Sequence, residues 1–152
     1  MADIELKISI PADNNGYVLQ QCPFCGEYFK LTPDDCADEG VLGVFCPSCG
    51  LSGENFVTED VLELAIVMTK NVAMDAIYDE MKKWEKQFNS GFITFKAGKK
   101  PKPEPENPIR AGIEALTIIQ FPCCKRTAKI KPMLKFTGCY CPFCGVKEYE
   151  LE

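Results

Sequence analysis

Two intact Cys-Pro-x-Cys-Gly motifs dominate the first third of this 152-residue chain: Cys22-Pro23-Phe24-Cys25-Gly26 and Cys46-Pro47-Ser48-Cys49-Gly50. A C-x2-C turn aims two thiolates at one metal, and the glycine after the second cysteine permits the tight turn that follows. Two such turns, twenty residues apart, make a closed tetrahedral set of four sulfurs. The chain has ten cysteines and no histidine, so every metal ligand of this kind must be sulfur. The missing histidine also excludes Ser-His-Asp and Cys-His catalysis, H-E-x-x-H metalloproteases and Cys2His2 fingers.

The cysteines read as ligands because of the expected compartment. The segment Met1-Ala2-Asp3-Ile4-Glu5-Leu6 has no basic start and no apolar run of signal-peptide length. No apolar stretch approaches the roughly 18 residues of a membrane span. A cytoplasmic protein is predicted, and there glutathione keeps thiols reduced. No glycine-rich phosphate loop is visible.

The end of the chain repeats its beginning. At an offset of 99, Gln21, Pro23, Cys25, Lys30 and Pro33 match Gln120, Pro122, Cys124, Lys129 and Pro132. At an offset of 95, Gly43, Cys46, Pro47, Cys49 and Gly50 match Gly138, Cys141, Pro142, Cys144 and Gly145. The knuckle Cys141-Pro142-Phe143-Cys144-Gly145 is complete, but Phe121 stands where Cys22 is expected. Cys124, Cys141 and Cys144 are therefore the clear ligands of the second set. The fourth is Cys123 or Cys139. Cys123 keeps two ligands per knuckle, whereas Cys139 shares the strand face of Cys141. Cys36, among Asp34, Asp35, Asp38 and Glu39, fits no ligand slot, and the acids disfavour its thiolate.

At these residues the chain resembles the zinc-ribbon family, in which CPxCG knuckles sit at the tips of short β-hairpins. The resemblance covers about residues 17–57, with both motifs intact, and extends to a degenerate second copy. It implies a structural Zn2+ in each copy, two per chain, and a binding rather than a catalytic role. Zinc ribbons often bind nucleic acid or sit in transcription machinery. Rubredoxin holds iron with a similar knuckle pair, but the twenty-residue gap lacks the rubredoxin loop pattern.

Between the copies the pattern changes. From Thr58 to about Asn89 it is helical, with Thr58 as N-cap, Glu59 and Asp60 at the positive end of the dipole, and Gly91 as the stop. Such a helix would be about 45 Å long. Met74, Ile77, Met81, Trp84 and Phe88 follow a 3-4 stripe that suits a helix–helix seam. Phe92-Ile93-Thr94-Phe95 reads as a short strand. The alternation of proline and charge from Lys96 to Pro108 reads as an extended polyproline-like linker, a spacer or a docking tract. Upstream, Ile4, Leu6, Ile8 and Ile10 alternate with polar residues, which predicts a half-buried strand over 3–10. The turn Asp13-Asn14-Asn15-Gly16 would pair it with a strand starting at Tyr17.

The expected architecture is α+β: two small metal-stabilised β zinc ribbons joined by a long α-helix and a Pro/Lys-rich linker. Its parts are a hairpin and ribbon over 1–57, a helix over 58–91, a strand and linker over 92–108, and a second ribbon over 109–152. Charge divides unevenly among them, −9 over residues 1–60 and +5 over residues 96–152. Two functions compete. One is a non-enzymatic zinc-binding adaptor that joins protein partners, or copies of itself through the 58–91 helix. The other is nucleic-acid binding by Lys125, Arg126, Lys129, Lys131 and Lys135, with aromatics beside them to stack on bases. An acidic pI of about 4.9 weighs against generic nucleic-acid affinity. No carboxylate pair or activated nucleophile at diagnostic spacing marks the chain as an enzyme, and no small-molecule or membrane partner is expected.

Overall fold

A computed structural model describes residues 4–88, 95–109, 112, 115–149 and 151. The chain forms two compact units. A sheet unit holds Ser9–Glu59 and Ile109–Glu152, and a helix unit holds Met1–Ile8 and Asp60–Pro108.

In the sheet unit, β1 (Val18–Gln21) and β2 (Tyr28–Leu31) form one hairpin, and β5 (Thr117–Gln120) and β6 (Thr127–Ile130) form another. The remaining small elements are α1 (Pro33–Ala37), β3 (Val44–Phe45), β4 (Ser52–Gly53), α3 (Leu134–Thr137), β7 (Cys139–Tyr140) and β8 (Lys147–Glu148). The offsets of 99 and 95 map β1, β2, β3 and β4 onto β5, β6, β7 and β8 residue for residue. The duplication read from the cysteines is thus a duplication of the fold.

The two copies are not separate beads. Their hairpins join in one antiparallel sheet of order β1-β2-β6-β5. Lys30 stands opposite Lys129, its own counterpart in the repeat. Antiparallel pairing of equivalent residues is the geometry of an isologous, two-fold contact. The second knuckles repeat it: the Phe45 amide donates to the Pro142 carbonyl (2.8 Å), and the Tyr140 amide to the Pro47 carbonyl (2.9 Å). A sequence boundary between residues 57 and 109 therefore separates stretches of chain that share one core.

That core lies on one face of the sheet. Phe29 and Leu31 from β2 and Ala128 and Ile130 from β6 point the same way, as period two requires, and join Phe56, Ile119, Phe121 and Phe143. The rings of Phe29 and Phe56 meet edge-on at 5.8 Å. Between these residues Lys30 and Lys129 must face the other side. There the turn over residues 13–16 forms as expected, closed by the Asp13 amide on the Tyr17 carbonyl (2.9 Å). It lays the Asp13 carboxylate across both lysines.

The strand expected over 3–10 does not form. Residues 4–10 hold no strand, and Ile4, Leu6 and Ile10 are exposed. Alternation prepares a segment for a sheet, but a strand exists only where a neighbouring edge takes its hydrogen bonds. Here β1 pairs with β2 alone.

In the helix unit, α2 spans Glu59–Phe88, thirty residues that begin directly after Thr58. No Gly or Pro interrupts it. The short strand expected at 92–95 falls largely outside the described residues. Residues 95–108 hold no regular element, as the alternating prolines dictate, yet they do not form a free spacer. They run back along α2. The Asn71 side chain accepts from the Glu104 amide (2.9 Å) and donates to the Glu104 carbonyl (3.0 Å). Lys100 pairs with Asp75 (3.2 Å), and Phe95 meets Trp84 edge-on at 6.5 Å. No helix among the described residues is long and apolar enough to cross a membrane.

Candidate metal centres

Each knuckle is built by the same two backbone hydrogen bonds. In the first, the Gly26 amide donates to the Cys22 carbonyl (3.0 Å), and the Cys22 amide to the Glu27 carbonyl (2.9 Å). The same pair recurs at Cys46, Phe121 and Cys141. The turn needs a residue at positive φ, and Gly26, Gly50 and Gly145 supply it at +77°, +73° and +74°. The fourth knuckle puts Lys125 there at +62°, the one non-glycine with positive φ among the described residues. Its backbone still closes, although this knuckle has neither the first cysteine nor the glycine of the other three.

Four sulfurs meet in each copy. The Sγ atoms of Cys22, Cys25, Cys46 and Cys49 lie within 4.8 Å of one another, and so do those of Cys123, Cys124, Cys141 and Cys144. A tetrahedral metal with bonds of about 2.3 Å to sulfur needs sulfurs about 3.8 Å apart. Cys22–Cys49 (3.7 Å), Cys25–Cys46 (3.5 Å) and Cys124–Cys141 (3.6 Å) are close to that edge. Both groups could hold a metal ion. Four thiolates per metal would leave no open position for a substrate.

The fourth sulfur of the second set has a physical explanation. Phe121 takes the backbone place of Cys22 and buries its ring fully in the shared core. Cys123, in the place of Phe24, supplies the missing sulfur from the tip of the same knuckle. Cys139 is the counterpart of Val44 and lies outside the group. It is fully buried, its thiol donates to the Tyr140 carbonyl (3.4 Å), and burial pushes it up to about 12. It behaves as a small core residue. Cys36 sits on α1, exposed, and joins neither group.

Burial works against charge on these sulfurs. It raises Cys46 and Cys123, and pushes Cys141 up to about 12. Cys22 and Cys124 go the other way. Burial opposes their thiolates too, but hydrogen bonds together outweigh it: the amides of Cys25 and Phe24 and the thiols of Cys25 and Cys49 at Cys22, and the Arg126 amide and the thiols of Cys141, Cys144 and Cys123 at Cys124. A metal entering either set must displace the protons of the raised thiols.

The basic residues proposed to meet nucleic acid are largely engaged within the chain. Lys129 pairs with Asp13 (2.6 Å) and Arg126 with Asp38 (2.7 Å) and Asp35 (3.5 Å), while Lys131 pairs with Glu27. All four acids belong to the first copy. The Arg126 guanidinium also lies 5.7 Å from the centre of the Phe143 ring. Lys125 and Lys135 alone of that group lack an ion pair among the described residues.

Sequence reasoning missed Asp13 and Lys30 as a unit. Lys30 is only 2% exposed, and Asp13 is its ion-pair partner (3.2 Å). Burial disfavours the Asp13 carboxylate. Hydrogen bonds from Lys129, the amides of Tyr17 and Asn15, and Lys30 overcome this and hold it well below the usual carboxylate range. The buried lysine had one signal, its match to Lys129 in the repeat.

No protein-family model, curated protein or solved structure matches the chain.

Proposed function

We propose that this is a non-enzymatic zinc protein whose paired tetrathiolate unit serves as a rigid head for protein–protein assembly. Zinc is the metal that suits four thiolates in a tetrahedral, closed set within a reducing cytoplasm. Two ions per chain would hold the two copies, as expected of zinc-ribbon sites. Iron, bound as in rubredoxin, would give a coloured protein, and zinc a colourless one.

One observation favours assembly over nucleic acid. Arg126, Lys129 and Lys131 are neutralised by acids of the first copy. The opposite charges of the two ends are therefore complementary surfaces inside the sheet unit. A phosphate backbone would have to break those pairs to gain its own. The test is a salt titration with single- and double-stranded DNA and RNA. No binding is expected at micromolar protein, even at low salt. Micromolar binding that weakened steeply with salt would overturn this reading in favour of nucleic acid.

A further inference from the structure

On α2, Ile66, Lys70, Ala73, Ile77, Glu80 and Trp84 recur at spacings of 4, 3, 4, 3 and 4, which is one heptad seam. Leu62 and Phe88 flank its ends. All eight are exposed in the folded chain, and the five large apolar ones are 44–55% exposed. The seam reads the same in reverse about residue 75. Reversal sets Leu62 against Phe88, Ile66 against Trp84, and Ala73 against Ile77. It also sets Lys70 against Glu80.

We propose that this seam is a self-association surface on which α2 of a second copy docks antiparallel, centred on residue 75. A two-fold contact requires such self-complementarity, since residue i meets j while j meets i. Reversal also places the two kinds of seam position opposite each other. Charge fixes the direction. A parallel pair would stack Lys70 on Lys70 and Glu80 on Glu80, whereas the antiparallel pair makes two Lys70–Glu80 contacts. Among the described residues these two groups pair only with exposed partners, Glu104 at 3.9 Å and Lys83 at 3.3 Å, so both can turn to a second copy. The Pro-rich segment lies along one flank of the seam, over Asn71 and Asp75, with Phe95 edge-on to Trp84, and it leaves Ile66, Ile77 and about half of Trp84 exposed. The surface does not depend on the metal reading.

The test is sedimentation velocity on the full chain, with zinc content measured on each sample to show that the sheet unit is intact. The unmodified chain is expected to dimerise at micromolar concentrations. Lys70→Glu and Glu80→Lys each create two like-charge contacts and should weaken the dimer at least about tenfold. The double variant Lys70→Glu/Glu80→Lys restores opposite charges and should recover most of the affinity. Ile77→Glu should abolish the dimer with zinc content unchanged. A monomer at all concentrations, or single charge variants that dimerise like the unmodified chain, would overturn the proposal. So would a double variant as weak as the singles.

Discussion

Replacing Asp13 by asparagine removes one charge and almost no volume. Its Oδ1 would keep the amides of Asn15 (2.9 Å) and Tyr17 (3.0 Å), so the turn should survive. What is lost is the charge facing Lys30 (3.2 Å) and Lys129 (2.6 Å). The side chains are 13% exposed at Asp13, 12% at Lys129 and 2% at Lys30, so water cannot easily take over. Breaking a buried pair from one side costs about 3–5 kcal/mol. With slight exposure at two of the three groups, about 3 kcal/mol is expected, or roughly a hundredfold in the folding equilibrium. Urea unfolding at fixed free zinc would read this as a midpoint shift of about 1.5 M, for a slope near 2 kcal/mol per molar.

The sign with pH follows from the lowered carboxyl. A group whose folded value lies below its unfolded one stabilises above the unfolded value, near 3.8 here. That contribution disappears as pH falls from there through the folded value. Between about pH 6 and 8 the deficit of Asp13→Asn should therefore be flat. In a cycle with Lys129→Met the two losses should be less than additive by about 1–3 kcal/mol. A loss below about 1 kcal/mol, the size of an exposed pair, would refute the idea that Asp13 clamps the two copies together.

Cys123→Ala should halve the zinc content, while Cys139→Ala should leave both ions and cost only core packing, about 1 kcal/mol. Metal analysis of the two variants separates them. Lys125→Gly should raise stability by about 0.5–1 kcal/mol, because it relieves a left-handed residue at the price of a looser unfolded chain. Thermal unfolding at saturating zinc would show it as a higher midpoint. Gly50→Ala should cost about 2–4 kcal/mol by the same assay, since its Cβ would fall 2.7 Å from the Tyr140 ring of the other copy at a φ of +73°.

What the sequence made legible is what short-range chemistry determines. The CPxCG spacing located six of the eight clustered sulfurs, the repeat offset of 99 added Cys124, and the rule of two ligands per knuckle pointed to Cys123 for the eighth. The helix was legible because thirty residues pass without Gly or Pro. The join between the copies was not, because it depends on pairs far apart in sequence. Lys129 and Asp13 are separated by 116 residues, and Arg126 and Asp38 by 88. A charge count showed opposite ends but not that they meet. The strand over 3–10 failed for a related reason, since period two describes a face and says nothing of an available edge. Helix α1 was overlooked although Thr32-Pro33-Asp34-Asp35 carries an N-cap, an N1 proline and acids in the first turn.

On the reading proposed above, each copy closes its own four thiolates around one metal ion and depends on that ion for its fold. Native mass spectrometry of protein produced without added metal, paired with elemental analysis, tests it most directly. Two zinc ions per chain are expected, with the charge-state envelope of a compact protein that becomes extended when a chelator strips both ions. One ion per chain, or a chain that stays compact without metal, would contradict it.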